Sequence, residues 1–260
     1  MRPRAFQRAT PPAKLTHHIR PHHQYWPATI ANLDAALAPL PPFLESLANA
    51  GRTAAATLYG LPPQQCHSPW VAHAYTDASL AAGGTPQGDA RWALCPVCGA
   101  WAALSLVSRF RYAGRTPTAM ETLRAQILPL LGGAVRFFLD GYLFEDGQGK
   151  LHGGPSTSPE NSYALPHAAG GSSKQSKPYH YATLLPAIDV AVVATVFGAY
   201  VEGAAMLADG AGTPDCEIGE VRGLAERAVN ALMRMPNAAM PRVGLDGAWL
   251  WVVGLVGIGR

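Results

Sequence analysis

The sequence predicts an all-α fold with long functional loops. Three observations predict it. Apolar residues recur at helical spacing in six stretches, period-two alternation is scarce, and two long intervals rich in Gly, Ser and Pro separate the helices. With 260 residues the chain has ample length for a buried core. Its charged fraction of 14% and apolar fraction of 48% exclude a disordered chain, which needs the opposite balance. A net charge of +3 is too small to point to nucleic acid.

Residues 1–24 lack an apolar period, contain several prolines and read as an irregular arm. Pro27 suits a first helical turn, and Ile30, Leu33 and Leu37 continue at helical spacing. Pro39, Pro41 and Pro42 are expected to end that helix. A second helix is predicted from Phe43 to Tyr59, with Leu44, Leu47 and Leu58 on its apolar side and Gly60 as its cap. Residues 61–94 read as a long loop, of the kind that usually serves a function. A third helix is predicted over Val97–Tyr112, closed by Gly114. A fourth covers Thr118–Phe144, kinked or split at Pro129 and Gly132-Gly133. Residues 145–181 form a second long loop, followed by helices over Leu184–Leu207 and Glu217–Met233.

The basic N-terminus lacks the apolar stretch of a signal peptide, so no secretion route and no location is legible. The apolar run Ala248–Ile258 is about half the ~20 residues a membrane span needs, so no membrane contact is expected. Cys66, Cys95, Cys98 and Cys216 are too few for a disulfide scaffold. Cys95-Pro-Val-Cys98 has two readings, an incidental or structural pair and a metal or redox pair. His17, His18, His22 and His23 likewise read either as an unstructured arm or as a metal-binding tract.

The stretch Gly153–Ser162 has Gly and Pro to stiffen the backbone and a single carboxylate, Glu160, between Pro159 and Asn161. A rigid mount suits a carboxyl group used as an acid, and a solvated turn has the same composition. Tyr25-Trp26, the segment Trp70–Asp77 with His73, and Trp92 with Trp101 set aromatic residues beside polar ones. Ring faces and hydrogen-bonding groups together suit a sugar, and each cluster alone also suits packing.

The order of these motifs is informative. Tyr25-Trp26-Pro27-Ala28 comes first, then Trp70-Val71-Ala72-His73 with Thr76-Asp77. Cys95-Pro96 with Gly99-Ala100-Trp101 follows, then Phe137-Phe138-Leu139-Asp140, and finally Gly154-Pro155-Ser156-Thr157-Ser158-Pro159-Glu160-Asn161-Ser162. This series resembles glycoside hydrolase family 95, α-L-fucosidases with some α-L-galactosidases, over about residues 25–240. The resemblance implies an inverting glycosidase with Glu160 as general acid. It implies a fucose pocket lined by Trp26, His73, Asp77, Trp101 and Asn161, and a fucosylated oligosaccharide or glycan as substrate. It implies no metal and no organic cofactor. In fold it implies part of an (α/α)6 barrel, an incomplete toroid over residues 25–240, between the arm 1–24 and an atypical apolar tail 241–260.

The chain departs from the family pattern at two places. The family's water-positioning Asn-x-Asn, counted back from Tyr25, falls on His18 and Arg20, and an arginine has no acceptor for a water. The family's base aspartate lies beyond the point where the resemblance fades near Met240. The expectation is therefore a fragment that keeps the acid and lacks the base, with an inactive or weakly carbohydrate-binding remnant as the alternative. Asp189, in Leu185-Pro-Ala-Ile-Asp189, resembles a family Asp at the start of a barrel helix. It reads either as a helix-dipole partner or as a pocket residue.

Overall fold

A computed structural model describes residues 25, 27–74, 76, 94–158, 161–164, 179–207 and 212–235, with backbone alone for 34, 163, 164 and 179. The predicted arm, the apolar tail, Trp26, Asp77 and Glu160 lie outside the described residues.

The described chain is mostly helical, as expected. Helix α1 spans Leu40–Tyr59, α2 Cys98–Ala113, α3 Pro117–Thr122, α4 Leu128–Phe137, α5 Ala187–Met206 and α6 Ile218–Arg234. The first predicted helix is broken. Residues 27–30 are helical, but Asn32 turns left-handed (φ 55°) and only a short 3₁₀ turn, Asp34–Leu37, follows. Asparagine tolerates that conformation better than most residues, and the break leaves Ile30 73% and Leu33 58% exposed. Only Leu37 of the predicted stripe is buried. The prolines expected to end that helix instead begin the next one. Pro41 and Pro42 occupy the first turn of α1, where a missing N–H leaves no bond unmade. Leu44 and Leu47 are fully buried, and Gly60 caps the helix at φ 68° as predicted; Leu58 instead faces solvent.

The predicted fourth helix is one nearly continuous spiral with two wide turns. π turns at Leu123–Ile127 and Phe138–Tyr142 flank α4. The first lies just before Pro129, whose ring would collide with the carbonyl four residues back in a regular helix. There the Leu128 N–H reaches back five residues to the Leu123 carbonyl, opening the spiral. Gly132 and Gly133 do not split the helix. A Cβ on Gly132 would lie 2.4 Å from the His67 ring, and one on Gly133 would lie 2.6 Å from the Ser68 carbonyl oxygen. The double glycine is a groove into which residues 66–70 are laid, and Trp70 Nε1 fastens them by donating to the Leu130 carbonyl at 2.8 Å.

The second predicted loop contains short antiparallel ladders. β1 (Leu143–Glu145) pairs with β2 (Leu151–Gly153), β3 (Ser156–Thr157) with β6 (Ala182–Thr183), and β4 (Tyr163–Ala164) with β5 (Tyr179–His180). Pairs this short carry too little alternation to be seen in sequence.

Helix α5 lies at the centre, against α2, α4 and α6. Val190, Val193, Val196, Phe197, Tyr200 and Gly203 are buried on one broad face, while Thr195 and Ala205 are exposed on the other. By length and composition it could cross a bilayer, but here most of its surface is covered by the other helices. All four cysteines are paired, as Cys66–Cys216 and Cys95–Cys98. Few cysteines exclude a disulfide scaffold, not individual crosslinks added to an apolar core.

Candidate active site

The loop that precedes Glu160 is held from three directions. The Leu185 N–H donates to the Gly153 carbonyl at 2.7 Å. Ser156 and Thr157 pair with Thr183 and Ala182. Thr157 also grips the Leu94 carbonyl twice, through its N–H at 2.8 Å and its Oγ1 at 2.6 Å. Residues 94, 156–157 and 182–185 are thereby gathered beside the start of α2. A cis peptide bond joins Gly154 to Pro155. Beyond the ladder, the Asn161 amide Nδ2 donates to Ser158 Oγ at 2.9 Å, and its backbone N–H donates to the Ser158 carbonyl at 3.1 Å. Asn161 is exposed.

His73 is buried in the same region. The Cys95 N–H donates to its Nδ1 at 3.1 Å, so the ring's proton sits on Nε2. Nε2 lies 3.2 Å from the Tyr59 hydroxyl, which accepts it. The Cys95–Cys98 disulfide closes the turn whose backbone supplies this N–H. Tyr59 packs edge-on against Phe137 at 4.8 Å. Burial, then the charge of Asp189, pushes its hydroxyl up to about 12. Trp101, half-buried on the first turn of α2, packs against the core.

Asp189 occupies the first turn of α5, as a helix-dipole partner would, and is completely buried. Tyr142 donates its hydroxyl to Oδ2, while Oδ1 has no hydrogen-bond partner among the described residues. Burial raises the carboxyl to about 6. The Ser156 and Tyr142 hydroxyls oppose that rise, although Ser156 Oγ makes no hydrogen bond of good geometry. Burial and the same carboxylate drive the Tyr142 hydroxyl well above its usual range. Asp189 therefore lies behind Tyr142 and Tyr59 as an internal polar anchor.

Of the residues predicted for the site, His73 and Asn161 fall on the segments described here and Trp101 on the adjoining helix. Tyr59, Tyr142 and Ser156 were not singled out from sequence. Their signal was weak: a tyrosine on an apolar helical face needs a partner for its hydroxyl, but spacing does not say which. Phe137 and Phe138 of the aromatic motif are buried core residues, and Asp140 pairs with Arg227. A separate cleft of about 450 Å³ lies between the β1–β2 hairpin and α6, lined by residues including Leu143, Glu145, Arg227 and Arg234. Of the predicted site residues that the structure describes, His73, Trp101 and Asn161, none lines it.

Comparison with known proteins adds two findings. The model of the Glycosyl hydrolase family 95 catalytic domain matches residues 9–227. Alpha-L-fucosidase 2 of Arabidopsis thaliana is 30% identical over 225 residues, which is 86% of this chain and 23% of that protein. The chain thus spans about a quarter of the length of this relative.

Proposed function

Since the chain belongs to glycosyl hydrolase family 95, we propose that it forms part of an (α/α)6 toroid, over residues 25–240, that hydrolyses terminal α-linked L-fucose, or the related L-galactose, from a glycan. Glu160 acts as the general acid and protonates the departing glycosidic oxygen. Water attacks the opposite face of the sugar, inverting the anomeric centre and giving its proton to a general base outside residues 25–240. Trp26 and Trp101 offer ring faces to the sugar's C–H face. His73, Asp77 and Asn161 take its hydroxyls. The proposal carries the fucosidase activity of the Arabidopsis relative over to this chain.

The observation that carries this reading is the anchoring of residues 153–158, which ties the segment leading to Glu160 to Leu94 and to the backbone beside His73. A catalytic carboxyl group needs a mount of that rigidity. The buried Asp189–Tyr142 pair supplies it from below. The experiment is release of fucose from a 2′-fucosylated oligosaccharide, with Glu160→Gln as the control. Loss of the general acid is expected to lower the rate by about 10²–10⁴-fold. Turnover that Glu160→Gln leaves unchanged would refute the assignment.

A second reading is favoured by His18 and Arg20, which stand where the family has its two asparagines. In that reading the pocket binds glycan without turning it over. Binding of the 2′-fucosylated oligosaccharide with no fucose released, in wild type and Glu160→Gln alike, is its signature.

A further inference from the structure

His67 carries three costs at once. Its backbone is left-handed at φ 48°, its side chain is 5% exposed, and neither ring nitrogen has a hydrogen-bond partner among the described residues. The ring is pinned between the Gly132 groove and the edge of Tyr200, whose ring centre is 5.5 Å away. A phenyl ring would fill that space without the desolvation of two nitrogens. Beside it lies the Cys66–Cys216 disulfide, and a ligand atom from each of the three residues falls within 4.8 Å of the others. All three side chains are buried.

We propose that Cys66, His67 and Cys216 form a redox-gated site for a thiophilic d¹⁰ cation of the zinc(II) class. A tetrahedral zinc site sets its sulfur and nitrogen ligands roughly 3.3–3.8 Å apart. The three residues already stand close to that arrangement, and the two sulfurs need only part from their bond. A thiolate of a dithiol reductant attacks one sulfur, and its second thiol closes on the mixed disulfide. The reductant leaves as a disulfide, having supplied two electrons and two protons, and Cys66 and Cys216 are left as thiols. Zinc(II) displaces both thiol protons and accepts a lone pair from one His67 nitrogen, with a water in the fourth position. Two thiolates neutralise the ion, which keeps the buried site free of net charge. The site is separate from the one described above. Tyr200, against which His67 packs, lies about 16 Å along α5 from Asp189 at the helical rise per residue.

The test uses the full chain in a Cys95→Ser/Cys98→Ser background, which removes the other thiol pair. Cobalt(II) is the spectroscopic probe and zinc(II) the competitor. After reduction by a dithiol and its anaerobic removal, one cobalt per chain is expected to bind with a thiolate-to-metal charge-transfer band. Zinc is expected to displace cobalt, and, added instead to the reduced metal-free chain, to release about two protons per ion and raise the melting temperature. The oxidised chain is expected to show no such band. Adding Cys66→Ser and Cys216→Ser should abolish it. His67→Phe, which fills the same space and retains both cysteines, should weaken binding at least tenfold and keeps the test valid if the serine variant fails to fold. A reduced chain without the band, a band in the oxidised chain, or His67→Phe binding as tightly as its parent would overturn the proposal.

Discussion

Two buried groups, Asp189 and His67, have their proton affinities shifted in opposite directions. Asp189 is raised to about 6 by burial, so its stabilising contribution is full below its unfolded pKa of about 3.8 and lost as pH rises through 6. His67 is lowered to about 4, first by burial and then by the Arg136 charge. Its contribution is full above the unfolded value of about 6.5 and lost as pH falls through 4. Each swing amounts to about 3 kcal/mol, and between pH 4 and 6.5 the two oppose each other. Urea unfolding across that window is the measurement. Relative to wild type, Asp189→Asn is expected to lose about 3 kcal/mol as pH falls, and His67→Phe to gain a similar amount. Parallel profiles for all three proteins would show that these groups do not set the pH dependence. Neither shift was legible in the sequence, because each arises first from burial, which exists only once distant segments have packed around the side chain.

Among the elements, α4 shows where reading glycines as helix breakers fails. Their spacing gave no hint of what they contact, since the Trp70 segment that fills the groove lies some sixty residues upstream. Gly132→Ala gains helix propensity of up to about 1 kcal/mol but drives a methyl group into the His67 ring. A net loss of about 1–3 kcal/mol is expected by thermal or urea unfolding. Gly223→Ala in α6 meets nothing within 4 Å and should gain up to about 1 kcal/mol. Equal effects at the two positions would contradict the groove. Helices α1, α2 and α6 were readable because an apolar period or a capping glycine marks them, and α5 because its apolar run is long and nearly uninterrupted. The ladders were not, since pairs two or three residues long owe their existence to the helices that frame them.

For the whole molecule, the two crosslinks differ mainly in reach. Cys66–Cys216 closes a loop of 150 residues and Cys95–Cys98 one of 3. By the chain-entropy account these correspond to about 5 and about 1.6 kcal/mol of restraint on the unfolded chain. Removing the long crosslink with Cys66→Ser/Cys216→Ser is therefore expected to lower the melting temperature by several degrees more than Cys95→Ser/Cys98→Ser. The reverse order would mean that the short link carries native-state strain or packing that loop length does not capture. The family could be read from the ordered motifs of the sequence, as the match over residues 9–227 bears out. The support around the candidate site could not, because Tyr59, His73, Tyr142 and Asp189 meet only after the helices pack.

The two bonds from Thr157 to the Leu94 carbonyl join positions 63 residues apart, beside a ladder only two residues long. So brief a pairing cannot repay the closure of so large a loop by itself, and it forms only after the helices on either side have docked. In refolding followed by hydrogen exchange, the Thr157 amide should gain protection later than amides within α5. A sequence change that merely slows docking would then be felt first in the loop that leads to Glu160, while the helical signal still looks native.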